Sequence, residues 1–159
     1  MFIILLWILK RLPVSILIPY CFLILSTTVL SRASQETAHF DFTPLRLLLQ
    51  EDAWLRHDFL RQMRANALMF EPIGFLMPQA GRHGILEEKP ASLFAVLMTV
   101  LTSFLFSFTI EYLQWKYRRG FSETDDIISN TIGAVTGVII YLIALQAVRL
   151  YKVSLRRRN

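Results

Sequence analysis

The grouping of apolar residues constrains this chain more than any other feature. They come in blocks and do not alternate with polar ones. Residues 12–30, 65–78, 91–112 and 127–150 are each dominated by aliphatic and aromatic side chains. A helix needs about 20 apolar residues to cross a hydrocarbon core of roughly 30 Å. Three blocks approach or exceed that length, and 65–78 is short. Of 159 residues, 54% are hydrophobic, and mean hydropathy is +0.45. In lipid every backbone polar group must be paired internally, so such blocks read as helices. The expected fold is all-α. It is a polytopic membrane protein, one domain over residues 1–159, built as a four-helix bundle with a short or kinked second helix.

Lys10 and Arg11 precede the first block, as they would in a signal peptide. No small-x-small cleavage site follows Leu25, so a retained helix is expected. Pro13 suits its first turn. Phe2–Leu9 is apolar but too short to span, and it reads as an interfacial segment carrying Trp7. The single cysteine, Cys21, lies inside the first block and can form no internal disulfide.

The net charge is +5, concentrated in Arg149, Lys152, Arg156, Arg157 and Arg158. A basic tail beside a membrane helix is the retained cytoplasmic end, and no nucleic-acid partner is expected. Four spans then put both termini in the cytoplasm of a multi-pass cell-membrane protein. The connection 79–90, with Arg82 and Lys89, is inside, and residues 31–64 and 115–126 are outside. Within 31–64, Leu48, Trp54, Leu55, Phe59, Leu60 and Met63 recur at helical intervals among charges. That pattern reads as an outer amphipathic segment.

The helices carry polar groups that lipid would reject. An ionised side chain at a bilayer centre costs about 2.5–3.5 kcal/mol even on the lenient insertion scale. The second block holds Asn66, Glu71, Pro72 and Gly74, with Asn66, Phe70 and Gly74 on one face. The third carries Thr99, Ser103, Ser107 and Glu111 at the same interval, continued by Gln114 and Arg118. The fourth carries Asp126, Asn130, Gly133 and Gly137 on one face. Gly133 and Gly137 permit close helix approach, and Pro72 and Gly74 are read as packing residues too. Arg118, Arg119 and Asp125 fall in or near the intervening turn, where Gly120 can take a positive φ.

Given the topology, all these polar groups collect at one end of the bundle. Singly, each has a structural explanation. Asp125 and Asp126 suit a helix first turn, Ser122 a cap, and the arginines headgroup contact. Together, Asn66, Glu71, Glu111, Gln114, Arg118, Arg119, Asp125, Asp126 and Asn130 read as a polar, ligand-facing site. Helical phase predicts that Glu111, Arg119, Asp126 and Asn130 form one hydrogen-bonded cluster.

At these residues the chain resembles the VanZ-like membrane protein family. Residues 110–137 carry the family's glutamate, glutamine, arginine, aspartate, asparagine and glycines as Glu111, Gln114, Arg119, Asp126, Asn130, Gly133 and Gly137. Residues 66–78 resemble its second helix, although Glu71 stands where an apolar residue is expected. Residues 40–45 resemble only loosely its short outer segment, in which an asparagine precedes a proline-aromatic pair, since this chain has Asp41, Pro44 and Leu45 there. The family takes its name from a protein associated with teicoplanin resistance. The resemblance implies a protein of the bacterial cell envelope and supplies no mechanism.

Three functions compete. The first is binding of a lipid or cell-wall precursor, or an effect on glycopeptide-type antibiotic tolerance. The second is a membrane enzyme acting on a lipid-linked or phosphate-bearing substrate, with Arg118 or Arg119 clamping an anion and Glu111 or Asp126 as acid or base. The third is a small proton-coupled exporter; its polar groups would belong at the midplane, not at one end. No metal-ligand spacing is present, His39, His57 and His83 are scattered, and no cofactor is expected. The expected partners are membrane lipids, with a lipid-linked envelope precursor as candidate ligand.

Overall fold

A computed structural model describes residues 2–45, 52–80 and 92–157; for residues 2–12 it describes the backbone only. Four helices dominate. Helix α1 spans Phe2–Leu25, α2 Ala53–Ala80, α3 Leu93–Tyr117 and α4 Thr124–Arg156. Two short strands, β1 (His39–Asp41) and β2 (Phe121–Glu123), pair in parallel, with Phe40 opposite Ser122. Among the described residues three stretches are long and apolar enough to cross a membrane: Pro13–Leu30, Leu93–Tyr117 and Thr124–Arg156.

Helix α3 is apolar on its outer face and polar on its inner face. On α3, Leu97, Leu101, Phe104, Leu105 and Phe108 are exposed, while Thr99, Ser103, Ser107, Glu111 and Gln114 are buried. The four-residue stripe therefore faces the other helices, and the larger apolar side chains face the surroundings. That inversion suits a lipid environment, where burial of apolar groups between helices gains little over lipid contact. Ile24, Val29, Phe70, Ile73 and Ile110 form a small core joining α1, α2 and α3. Tyr20 Oη donates to the Met69 carbonyl at 2.9 Å, tying α1 to α2.

The closest approach is between α2 and α4. A Cβ added at Gly74 would occupy the Ala134 carbonyl. One at Gly133 would strike the Ala67 carbonyl, and one at Gly137 the Glu71 carbonyl. The glycine face of α4 and Gly74 of α2 thus serve one contact, as small-residue packing requires.

Several expectations need correction. Helix α2 begins at Ala53, so Trp54–Arg64 form its first turns and not a separate outer loop segment. It runs through both Pro72 and Pro78. The N-terminal apolar residues are continuous with α1, which places Pro13 in the helix interior and not in the first turn. The β1–β2 pair adds strand to an otherwise all-α architecture. Of the sequence expectations, Leu48, the connection with Arg82, His83 and Lys89, and Arg158 and both terminal residues lie outside the described residues. So do the side chains of Trp7, Lys10 and Arg11.

Candidate functional site

The end of α1 sets up half of the polar region. After Leu25 the helix widens into a π-helical turn, Ser26–Leu30, closed by the Ser31 N–H on the Ser26 carbonyl at 2.8 Å. A helix terminus leaves its last carbonyls without intrahelical donors. Residues at the end of α3 supply them. Gln114 Nε2 donates to the Thr28 carbonyl at 3.0 Å. Arg119 Nη1 donates to the Leu30 carbonyl at 3.0 Å and to the Arg32 carbonyl at 2.6 Å. Arg118 Nη1 donates to the Glu36 carbonyl at 3.2 Å, and the Arg118 carbonyl accepts from the Gln35 N–H at 2.7 Å.

Arg118 terminates α3 in the left-handed conformation, and Gly120 follows at φ 109°. A side chain on Gly120 would be strained there and would also meet the Arg32 guanidinium. The reversal delivers β2, whose Ser122 is buried and donates through Oγ to the Glu111 carbonyl at 2.9 Å. Ser122 is therefore not the cap of α4; Glu123 holds that position without a side-chain cap bond. Asp125 accepts the Leu45 N–H at 2.7 Å and fastens the segment after β1.

The second half is a group of carboxyls and amides. Glu111 is buried and accepts the Glu123 N–H through Oε2 at 3.0 Å. Asn66 Nδ2 donates to Asp126 Oδ1 at 2.6 Å, joining α2 to α4. One turn deeper, Asn130 Nδ2 donates to Ser107 Oγ at 2.9 Å. Glu111 and Asp126 lie within electrostatic reach of each other, and Arg32 lies within reach of both.

The expected single cluster thus resolves into two sets. Glu111, Asp126 and Asn130 lie at the same end of the bundle but are bonded separately, Glu111 to the Glu123 N–H, Asp126 to Asn66 and Asn130 to Ser107. Arg119 does not bond to any of them: its guanidinium caps the first helix, as basic groups near a helix C-terminus do. Gln114, Arg118 and Asp125 share that fastening role. No hydrogen bond among the described residues joins the Glu71 side chain to Asn66 or Asp126. The cation near the carboxyls is Arg32, which local sequence pattern does not single out. Among the described residues no group of three or more His, Cys, Asp and Glu side chains is placed to hold a metal ion.

An open cleft of about 510 Å³ reaches this group at Asp126 and is lined among others by Arg32, Gln35, Gln62, Phe121 and Glu123. Gln62 is held by Asp58, which accepts its Nε2 at 3.0 Å. Hydrogen bonds from Arg61 and Gln62 keep the exposed Asp58 carboxyl below the usual carboxylate range.

The capping geometry makes a specific prediction for Arg119. Both of its contacts leave one nitrogen and end on carbonyls, so no bidentate carboxylate geometry is at stake. Arg119→Lys should keep part of the stability that Arg119→Ala loses, about 1–2 kcal/mol. Thermal melting in detergent would check the order parent, Lys, Ala. Equal melting of Lys and Ala variants would contradict it.

These features define a helical membrane protein with a polar group gathered at one end of its bundle. The sequence pattern of the VanZ/LLP1 family matches residues 4–145, and the chain belongs to that family. No curated protein and no solved structure matches it.

Proposed function

We propose that this VanZ-like protein binds a lipid or lipid-linked envelope precursor at the end of the bundle where Glu111, Asp126, Asn66 and Asn130 meet. In this reading α2 is a fourth span, the cleft faces outward, both termini are cytoplasmic, and any effect on glycopeptide tolerance follows from binding. One observation carries it. Buried polar groups persist inside a bundle whose exterior is apolar, and two of them, Gln114 and Asn130, each keep a side-chain oxygen with no hydrogen-bond partner among the described residues. Turning either amide over only exchanges which end is unpaired. Leaving such a group unpaired costs about 1–3 kcal/mol, a cost that a ligand group donating to Asn130 would offset.

The enzyme reading keeps a place because Asp126 lines an open cleft and the Glu111 carboxyl lies within electrostatic reach of it. Its anion clamp loses support, since Arg118 and Arg119 are engaged by backbone carbonyls. Lipid mass spectrometry of the purified full-length protein separates the readings. An unmodified lipid that co-purifies with the parent and is lost from Asp126→Asn indicates binding. A chemically altered lipid indicates an enzyme, and no Asp126-dependent lipid contradicts both.

Topology is checked independently. Reporter fusions should place residue 120 outside and residue 159 in the cytoplasm. A cytoplasmic signal at residue 120 would overturn the orientation.

A further inference from the structure

We infer that the cleft over Asp126 takes a glycosyl group, the sugar headgroup of a membrane glycolipid, and not a phosphate or an ammonium; this rests on the binding reading above. The lining is of mixed sign. Arg32 supplies one cation, while Glu123 and Asp126 supply two carboxylates. A phosphate placed there would meet both carboxylates. An ammonium would meet the Arg32 guanidinium, which already serves Glu111 and Asp126 as counter-charge. A neutral ligand that both donates and accepts is compatible with each sign, and a hydroxyl does both.

The remaining lining fits the same chemistry. Gln35 and Gln62 carry amides, each with donor and acceptor ends. Phe121 is 57% exposed although it stands in a strand, with its ring tilted against His39 at 5.4 Å between centroids. An exposed aromatic face beside polar groups offers an apolar platform for the C–H face of a sugar ring. The cleft volume of about 510 Å³ lies within the range of about 300–1,000 Å³ that small-ligand sites occupy. Its walls come from the segment after α1, from β2 and from the early turns of α2 and α4, beyond the apolar middle of the helices. On the proposed topology that is the level of a lipid headgroup. Arg119 holds the Arg32 carbonyl at 2.6 Å, and Gly120 leaves room for the guanidinium, so the cation is positioned by the fold.

The test uses full-length protein in a sugar-free detergent and native mass spectrometry. The probes are glucosyl-diacylglycerol, phosphatidic acid and a trimethylammonium diacyl lipid, with methyl glucoside as soluble competitor. The glycolipid should be retained about tenfold over either charged lipid. Its retention should fall about tenfold in Gln35→Ala and in Phe121→Ala, each of which removes a surface side chain and leaves the helix contacts intact. Resistance to equimolar methyl glucoside supports the lipid-borne source, and displacement by it would overturn that source. Asp126-dependent retention of phosphatidic acid or the cationic lipid instead would overturn the sugar assignment and leave the binding reading standing. Glycolipid retention indifferent to Gln35→Ala and Phe121→Ala would overturn the cleft as its location. Absence of any Asp126-dependent lipid would overturn this inference and the binding reading together.

Discussion

Gly74→Ala is expected to destabilise the protein, against the usual direction for a helical glycine. In an exposed helix interior, alanine is favoured over glycine by about 0.8–1.0 kcal/mol. Here the added methyl would sit where the Ala134 carbonyl of α4 lies. Backbone cannot rotate aside as a side chain can, so the helices must separate. The overpacking cost reaches the upper end of the usual range, about 2–3 kcal/mol net of the propensity gain. Gly133→Leu and Gly137→Leu meet the Ala67 and Glu71 carbonyls with a larger side chain and should largely abolish accumulation in the membrane. The check is abundance in membranes together with thermal melting in detergent. A Gly74→Ala protein that melts at or above the parent would refute the close crossing of α2 and α4.

The second large effect separates function from folding. Glu111→Gln keeps an oxygen that can accept the Glu123 N–H, and Asp126→Asn keeps one for the Asn66 amide. Each change removes the charge and retains the acceptor. Stability should stay within about 1 kcal/mol of the parent, while lipid retention falls about tenfold or more. Glu111→Leu removes the acceptor as well and strands the Glu123 N–H, which should cost about 1–3 kcal/mol. Melting curves of the three variants, each paired with its lipid content, check this ordering. Parallel loss of stability and lipid in the isosteric pair would reduce the carboxyls to structural groups.

Much of this arrangement was legible in the chain because it follows helical period. Thr99, Ser103, Ser107 and Glu111 repeat every four residues, and they share the buried face of α3. Asp126, Asn130, Gly133 and Gly137 recur at intervals of four, three and four; Asp126, Gly133 and Gly137 meet α2 at Asn66, Ala67 and Glu71, and Asn130 bonds Ser107 of α3. Even the Gly120 reversal follows from a residue type that tolerates positive φ.

What was not legible depends on contacts distant in sequence. The start of α2 at Ala53 is masked because Arg56, Asp58, Arg61 and Arg64 interrupt the apolar pattern. The pairing of His39–Asp41 with Phe121–Glu123 joins three-residue strands about 80 residues apart, with too little alternation to announce them. Arg119 looked like an anion clamp because an arginine beside acids suggests one. The π-helical turn after α1 decides otherwise, since its unpaired carbonyls are what the guanidinium reaches. Arg32 stands in a polar segment without period, and only the fold brings it to Glu111 and Asp126.

The claim at the centre of this account is that the carboxyl group at the end of the bundle faces a ligand and does not merely hold the helices. Asp126→Asn tests it most directly, by melting temperature and bound lipid measured on the same purified sample. The account predicts an unchanged melting temperature and loss of the lipid that the parent carries. Lipid retained in full, or lipid and melting temperature falling together, would contradict it.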